Sequence, residues 1–425
     1  MPLEALKRLA SWRPGRLAWN TAHAGGWNAI RVLLQAGTLV LMARVLGAEG
    51  YGLLAGTVAI YITFGQFAGL GTGTALVRHL ARGGELHGKL LATCRAFSIT
   101  GLMLFALVWP ASVWLFGATL SPTTLACFAI AELIVAPTLL PFAYRYLASE
   151  RLFVSGMLLT VGPAARFTAI AITAALGLST LSAFAALYLG CFAAAAIVTA
   201  MLVWPRRHVG SMRYGLLPTI REGLPFVVSS AAVTAGGELD KTIMLRSAGS
   251  ALTGQYAAAY RIVQAAALPV NSLVLAVTPR LFKSTEGVNA NYAITLVTVT
   301  IAYAVFAATL IWILAPLLPL LLGVQFSNSI TLLRLMCALL VTSSVRQMIV
   351  AQLTASNRQH ARNWIEGLAA ILTILAMVLV IPSFGAVGAI IIAAAADVAV
   401  GIGSWMALTR RLPRPLNVMT KGTDV

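Results

Sequence analysis

The sequence predicts an all-α polytopic membrane protein of about twelve transmembrane helices in two related six-helix halves. Three observations predict it. Hydrophobic residues make up 59% of the 425-residue chain and charged residues only 10%, against roughly 25% charged in a soluble domain. Apolar runs of the roughly 20 residues needed to cross hydrocarbon recur along nearly the whole sequence. Met42, Arg44, Gly47, Gly52 and Arg78 find Met244, Arg246, Gly249, Gly254 and Arg280 at one fixed offset of about 202 residues, so a hairpin of the first half returns in the second.

The first two spans, about 18–43 and 51–77, flank a break at Leu46-Gly47-Ala48-Glu49-Gly50. Four more follow at about 91–116, 122–145, 152–176 and 180–204, with glycine, proline or charge at most of the breaks. Trp204 to Pro225 is the longest polar connection and separates the halves. The second six lie at about 224–246, 251–278, 291–316, 327–350, 364–383 and 386–409. The expected organisation is an N-terminal lobe over 1–204, a cytoplasmic linker over 205–223, a C-terminal lobe over 224–409 and a cytoplasmic tail over 410–425.

Lys and Arg set the orientation. They gather at alternate connections: Arg78, Arg82 and Lys89; Arg145 and Arg151; Arg206, Arg207, Arg213 and Arg221; Arg280 and Lys283; Arg358 and Arg362. The termini join that set through Lys7, Arg8, Arg13 and Arg16 and through Arg410, Arg411, Arg414 and Lys421. Both termini are therefore expected in the cytoplasm. The other connections carry little beyond Arg44 and Arg246, which read as hairpin anchors, and are too short for an external catalytic domain. Tryptophans such as Trp19, Trp109, Trp204 and Trp312 fall near span ends, as interfacial anchoring places them.

The net charge of +18 is split among these clusters rather than gathered into one stripe, which argues against a nucleic-acid partner. The first apolar stretch is longer than a signal-peptide core and is expected to stay in place. Cys94, Cys127, Cys191 and Cys337 stand singly, and the five histidines are dispersed, so neither a metal site nor a catalytic triad is expected. Gly69-Leu70-Gly71-Thr72-Gly73-Thr74 lacks the lysine and the preceding strand of a phosphate loop; its glycines read as sites of close helix packing or a bend.

Ionisable groups deep in a span usually face a bundle interior or a watery pathway. Asn28, Arg31, Gln35 and Thr38 share one side of the first helix, and Ser230, Thr234, Glu238 and Lys241, with Asp240 adjoining, repeat the stripe on the seventh. Glu132, Arg166, Arg261 with Gln264, Arg334, Arg346 and Asp397 add to them. Basic groups outnumber acidic ones in this set, which suits an anionic cargo held by guanidinium through paired hydrogen bonds. Arg31, Arg261 and Arg166 are the candidate cargo cations, and buried ion pairs that fix helices are the competing explanation for each. Arg334 and Arg346, nearer span ends, read as structural or snorkelling, and Glu366 as a residue near a cytoplasmic end with no special role. Glu132, Glu238, Asp240 and Asp397 are the candidate coupling sites for a proton or sodium ion, although Glu238, Asp240 and Lys241 also stand close enough to neutralise one another.

Ala43-Arg44-Val45-Leu46-Gly47-Ala48-Glu49-Gly50-Tyr51-Gly52, with Gly69-Leu70-Gly71-Thr72-Gly73-Thr74-Ala75-Leu76-Val77-Arg78, resembles the first hairpin of bacterial polysaccharide-biosynthesis flippases of the multidrug/oligosaccharidyl-lipid/polysaccharide exporter superfamily. The resemblance implies two six-helix lobes related by a pseudo-twofold axis along the membrane normal, facing each other across a central cavity. It also implies a bacterial inner-membrane location and an undecaprenyl-diphosphate-linked oligosaccharide as cargo, flipped from the cytoplasmic to the periplasmic leaflet. Arg31 and Arg261 would then hold the diphosphate, while Asn28, Gln35 and Gln264 would touch sugar; position and chemistry, not the family motif, assign them. The twelve spans, two fewer than lipid II flippases usually have, point to an O-antigen, exopolysaccharide or capsule unit. Polymerase and glycosyltransferase partners are compatible with that role. The alternatives are a drug/cation antiporter of the same superfamily, expected to favour acidic cavity residues, and a membrane-embedded polymerase or ligase, expected to carry a large periplasmic loop. With no nucleotide-binding motif, an ion gradient or the membrane potential is the expected energy source, and no cofactor is implied.

Overall fold

The structure is a computed structural model that describes residues 16–204, 215–283, 290–356 and 358–409. The basic residues Lys7, Arg8 and Arg13, most of the expected linker and the tail 410–425 lie outside the described residues, as do the side chains of Trp19, Ser230, Arg280 and Lys283. No strand occurs among the described residues.

Helix α1, Arg16–Gly65, contains the first span and most of the second, turned at Gly47. The expected five-residue break is thus a single residue. Gly47 takes φ 67° and ψ −177°, a conformation open almost only to glycine, and the helix resumes at once. The second span then breaks over Ala68–Gly71 before α2, Thr72–Ala81. Helix α3 is Leu86–Phe116, and the fourth span is a composite of α4, Pro122–Ala129, a π-helical stretch Ile130–Val135, α5, Ala136–Thr138, and α6, Leu140–Ala148. Helices α7, Leu152–Ala175, and α8, Leu181–Val203, complete the first half close to their expected bounds.

Helix α9, Leu216–Ala248, starts earlier than expected, so residues 216–223 of the expected linker are its first turns. Gly215 is extended just before it and Pro218 lies in the first turn, where the missing N–H leaves no bond unmade. The eighth span is α10, Ser250–Ala266, followed by α11, Leu268–Lys283. Then come α12, Ala290–Leu314, the short α13, Leu318–Leu322, α14, Ser329–Ala355, and α15, Gln359–Thr409, which holds the last two spans and turns at Gly385 (φ 54°).

Eight segments among the described residues are long and apolar enough to cross a membrane, and two of these, 57 and 50 residues long, each supply two crossings. Helix α9 and the α10–α11 pair, which carry much of the interior charge, complete the set of about twelve. Lipid-facing surface is plain from exposed Leu107, Trp114, Met201, Phe306 and Leu379.

The halves pack as the repeat implies: α1 runs along α7 and α9 along α15. They meet where the duplicated glycines lie. A Cβ on Gly52 would sit 1.8 Å from the Ser250 carbonyl oxygen, and one on Gly254 would sit 2.0 Å from that of Ala48. Both contacts map onto each other under the same offset of about 202 residues, so the pseudo-twofold axis passes between them. Around this contact Arg44 donates from Nε to Leu321 O at 2.9 Å and from Nη2 to Leu320 O at 3.0 Å, and Ala48 N donates to Gln325 Oε1 at 3.1 Å. The end of the bundle opposite the basic connections, called here the far end, is therefore tied shut, with Arg44 as the expected hairpin anchor.

Candidate functional site

A cavity of about 950 Å³ lies between the two halves. Helix α1 contributes Gln35 and Thr38; the π-helical stretch contributes Glu132; α7 and α8 contribute Arg166 and Tyr188. From the second half come Thr234, Glu238 and Asp240 of α9, Tyr260, Arg261 and Gln264 of α10, Arg346 and Gln347 of α14, and Glu366, Thr373 and Asp397 of α15. Most of the residues singled out in the sequence thus converge on one space.

Three ionic groups line its walls. In the first half Glu132 pairs with Arg166 Nη2 at 2.6 Å, Arg166 Nε donates to the Tyr188 hydroxyl at 2.9 Å, and that hydroxyl donates to Glu132. The widened turn of the π-helix carries Glu132 among buried neighbours. In the second half Arg346 lies 2.6 Å from Asp397 and 3.9 Å from Glu366, which also holds Arg362 at 2.9 Å. At the junction of the halves, Lys241, only 1% exposed, stands 3.2 Å from Glu238 and 3.1 Å from Asp240, donates to Gly237 O at 2.7 Å and lies 4.1 Å from the centre of the Tyr260 ring. Tyr256 donates to Asp240 at 2.6 Å. A buried charge without partners is very unfavourable, and these networks supply them.

Arg261 differs from the other wall cations. Its side chain is 39% exposed, its carboxylate, Glu238, is 3.8 Å away, and its Nη1 donates to Gln264 at 3.2 Å. Because Glu238 also has Lys241, Arg261 can turn toward a ligand without stranding a buried carboxylate. Arg166 cannot do so, since it is the only cation within ion-pairing distance of Glu132 among the described residues.

Arg31 and Asn28 do not line the cavity. They continue the Gln35 stripe along α1 toward the basic end, where Asn28 is exposed and Arg31 half-buried, with its Nε buried and unbonded. Arg31 makes no ion pair among the described residues. Gln35 and Asn271, on the walls of the cavity, are both exposed. Helices α1 and α11 thus each bring an exposed residue to the cavity wall.

Two sequence readings need correction. The lining holds three arginines (Arg166, Arg261, Arg346) and five carboxylates (Glu132, Glu238, Asp240, Glu366, Asp397), so the cavity has no surplus of arginine. Arg31 and Arg334 do not line it; Arg334 lies over the Trp312 ring at 5.2 Å. Lys241 and Arg362, behind the wall, bring the balance to neutral. Arg346 and Glu366 are also wall residues rather than span-end residues. The Arg362–Glu366 spacing of four was the available signal for Glu366, whereas Arg346 lies well inside its helix only because α14 runs on to Ala355. Tyr188 and Tyr260 had none, since a tyrosine in an apolar helix is unremarkable until its hydroxyl partner is known.

No curated protein matches the chain in sequence. Among solved structures, it is similar to a lipid II flippase, MurJ, in an inward closed conformation (TM-score 0.71, 13% identity, 91% of this chain and 87% of that one). It is also similar to a multidrug resistance MATE family transporter of the MOP superfamily in an inward-facing conformation (0.67, 14%, 89% and 94%). A MOP superfamily transporter from Pyrococcus furiosus, described as having a binding pocket of reverse polarity, follows (0.58, 14%, 92% and 94%). These likenesses establish the shared two-lobe fold. The profile of a family described as polysaccharide biosynthesis protein matches residues 19–285, well over half of the chain, and the chain belongs to that family.

Proposed function

We propose that the protein is a flippase that carries an undecaprenyl-diphosphate-linked oligosaccharide from the cytoplasmic to the periplasmic leaflet of a bacterial inner membrane by alternating access. The basic end is the cytoplasmic side, by the bias of Lys and Arg, and residues 1–204 and 224–409 are the cores of the two moving lobes. The observation that carries this reading is Arg261, a partly exposed arginine on the cavity wall that can leave its carboxylate at little cost because Glu238 keeps Lys241. A diphosphate is the kind of anion that a guanidinium binds through paired hydrogen bonds. Gln35 and Gln264 are placed for sugar hydroxyls. The polar edge of α1, Asn28 and Arg31, offers a route by which a headgroup slides in from the inner leaflet while its lipid tail stays in the bilayer. Arg31 lies about 18 Å along the helix from Trp19 without an ion pair among the described residues, and such a route gives its charge a partner.

The excess of wall carboxylates favours a second reading, efflux of organic cations. Each of the five carboxylates, however, already has a lysine or arginine within 4.0 Å, so none is free for a cation without releasing its own partner. Energy comes from a proton or sodium gradient, with Asp397, Glu132, Glu238 and Asp240 as the coupling candidates. A thermal-shift titration of purified protein tests the reading: lipid diphosphate-linked sugar stabilises the wild type and not Arg261→Ala. Stabilisation by organic cations alone overturns it.

A further inference from the structure

The glycine run Gly69-Leu70-Gly71 acquires a role at the basic end. All three residues are left-handed, with φ of 72°, 46° and 75°, and for Leu70 that conformation is strained. Gly69 is held by Thr100, whose hydroxyl accepts its N–H at 2.7 Å. The resulting turn is the seat for α9 from the other half: a Cβ on Gly71 would lie 2.1 Å from Gly223 O, and one on Gly223 would lie 2.4 Å from Leu70 O and 2.5 Å from Thr72 N. Backbone meets backbone with no side chain between. One residue before Gly223, Glu222 pairs at 2.6 Å with Lys89 of α3, which is only 2% exposed.

We infer that this seam is the fixed edge of the basic face, staying shut through the transport cycle while the opposite edge, between α1 and α11, opens and closes. Two observations and one requirement of alternating access lead there. The far end is tied shut here, which is the state in which the basic face must admit cargo, yet this seam is closed backbone to backbone, while α1 and α11 at the other edge bring exposed Gln35 and Asn271 to the cavity wall. In the reversed state the basic face has to be sealed, so the seam is closed in both. The repeat mates of its four residues, Leu273 for Gly71, Thr21 for Gly223, Asn291 for Lys89 and Asn20 for Glu222, offer neither a glycine pair nor an ion pair. The two edges are thus related by the repeat and chemically unlike. The inference rests on alternating access but not on the identity of the cargo.

The test uses full-length protein with its four native cysteines replaced. Thr72→Cys, at a position that is fully buried beside Gly223, is exposed in vesicles to a membrane-impermeant maleimide on the basic side, with and without an ion gradient and cargo. The expected labelling is at least about tenfold slower than in the same protein carrying Gly223→Ala, whose added methyl forces the seam apart. Fast labelling of Thr72→Cys alone during cycling overturns the inference. In parallel, Lys89→Cys with Glu222→Cys is bridged by a short bifunctional thiol reagent. Transport within about twofold of the unbridged protein is expected, and its abolition, with each single-cysteine variant unaffected by the reagent, overturns the inference. Because labelling is read without cargo as well as with it, a protein that flips no lipid-linked sugar still reports on the seam.

Discussion

Gly254→Ala is the perturbation whose consequence follows most directly from the coordinates. Its new methyl would lie 2.0 Å from the Ala48 carbonyl oxygen and 3.0 Å from Gly52 N, where ordinary contact begins at 3.4 Å. Neither obstacle is a flexible side chain, so α10 and α1 have to part by more than an ångström at the far end. Overpacking of this kind costs about 1–3 kcal/mol, here only in the far-end-closed state, which shifts the balance toward opening by roughly 5–150-fold. Met42→Cys, a 4% exposed position on the cavity wall, reports that opening through an impermeant thiol reagent added from the far side. The labelling rate should rise within that range, and Gly52→Ala should produce a similar rise because the two glycines are repeat mates. Gly190→Ala, with nothing within 4 Å of its Cβ, should change nothing. Unchanged labelling in well-folded Gly254→Ala and Gly52→Ala would refute the claim that this contact closes the far end.

Three further outcomes are expected. Glu132→Ala leaves Arg166 without its carboxylate and should lower stability by about 3 kcal/mol, read as a depressed melting temperature in detergent, with most of the loss recovered when Arg166→Met is added. Arg261→Gln should abolish cargo-induced stabilisation while leaving the melting temperature of the empty protein nearly unchanged, since Glu238 keeps Lys241; a large fall in that temperature would mark Arg261 as structural. Arg346 lies near both Asp397 and Glu366, so Asp397 can be neutralised without isolating Arg346, and Asp397→Asn should remove the response of transport to an imposed ion gradient while exchange without a gradient persists. A gradient response that survives the change would move the coupling site elsewhere.

Much of the architecture was legible because the bilayer imposes simple rules on length and charge placement. The repeat located Gly52 and Gly254 before any coordinate showed that they touch. Residues 66–71 show the limit: the glycines announced close packing, but their partner, Gly223, lies about 150 residues away and nothing local encodes it. The interior charges were legible as a group and not as pairs. Glu132 and Asp397 stood alone in their spans, and only packing brought Arg166 and Arg346 to them. Counting charges by depth gave the wrong balance for the cavity because depth does not tell which way a side chain faces. Arg31 and Arg334 lie in apolar spans and yet line no part of it.

The most direct test is flipping itself. Purified protein is reconstituted in sealed liposomes with a lipid-diphosphate oligosaccharide in one leaflet, and its arrival in the other is followed with an impermeant sugar-modifying reagent. Translocation is expected to require the protein, to be lost in Arg261→Ala and to be sharply reduced in Arg31→Ala. Absence of translocation under every imposed ion gradient, with efflux of an organic cation from the same vesicles, would contradict it.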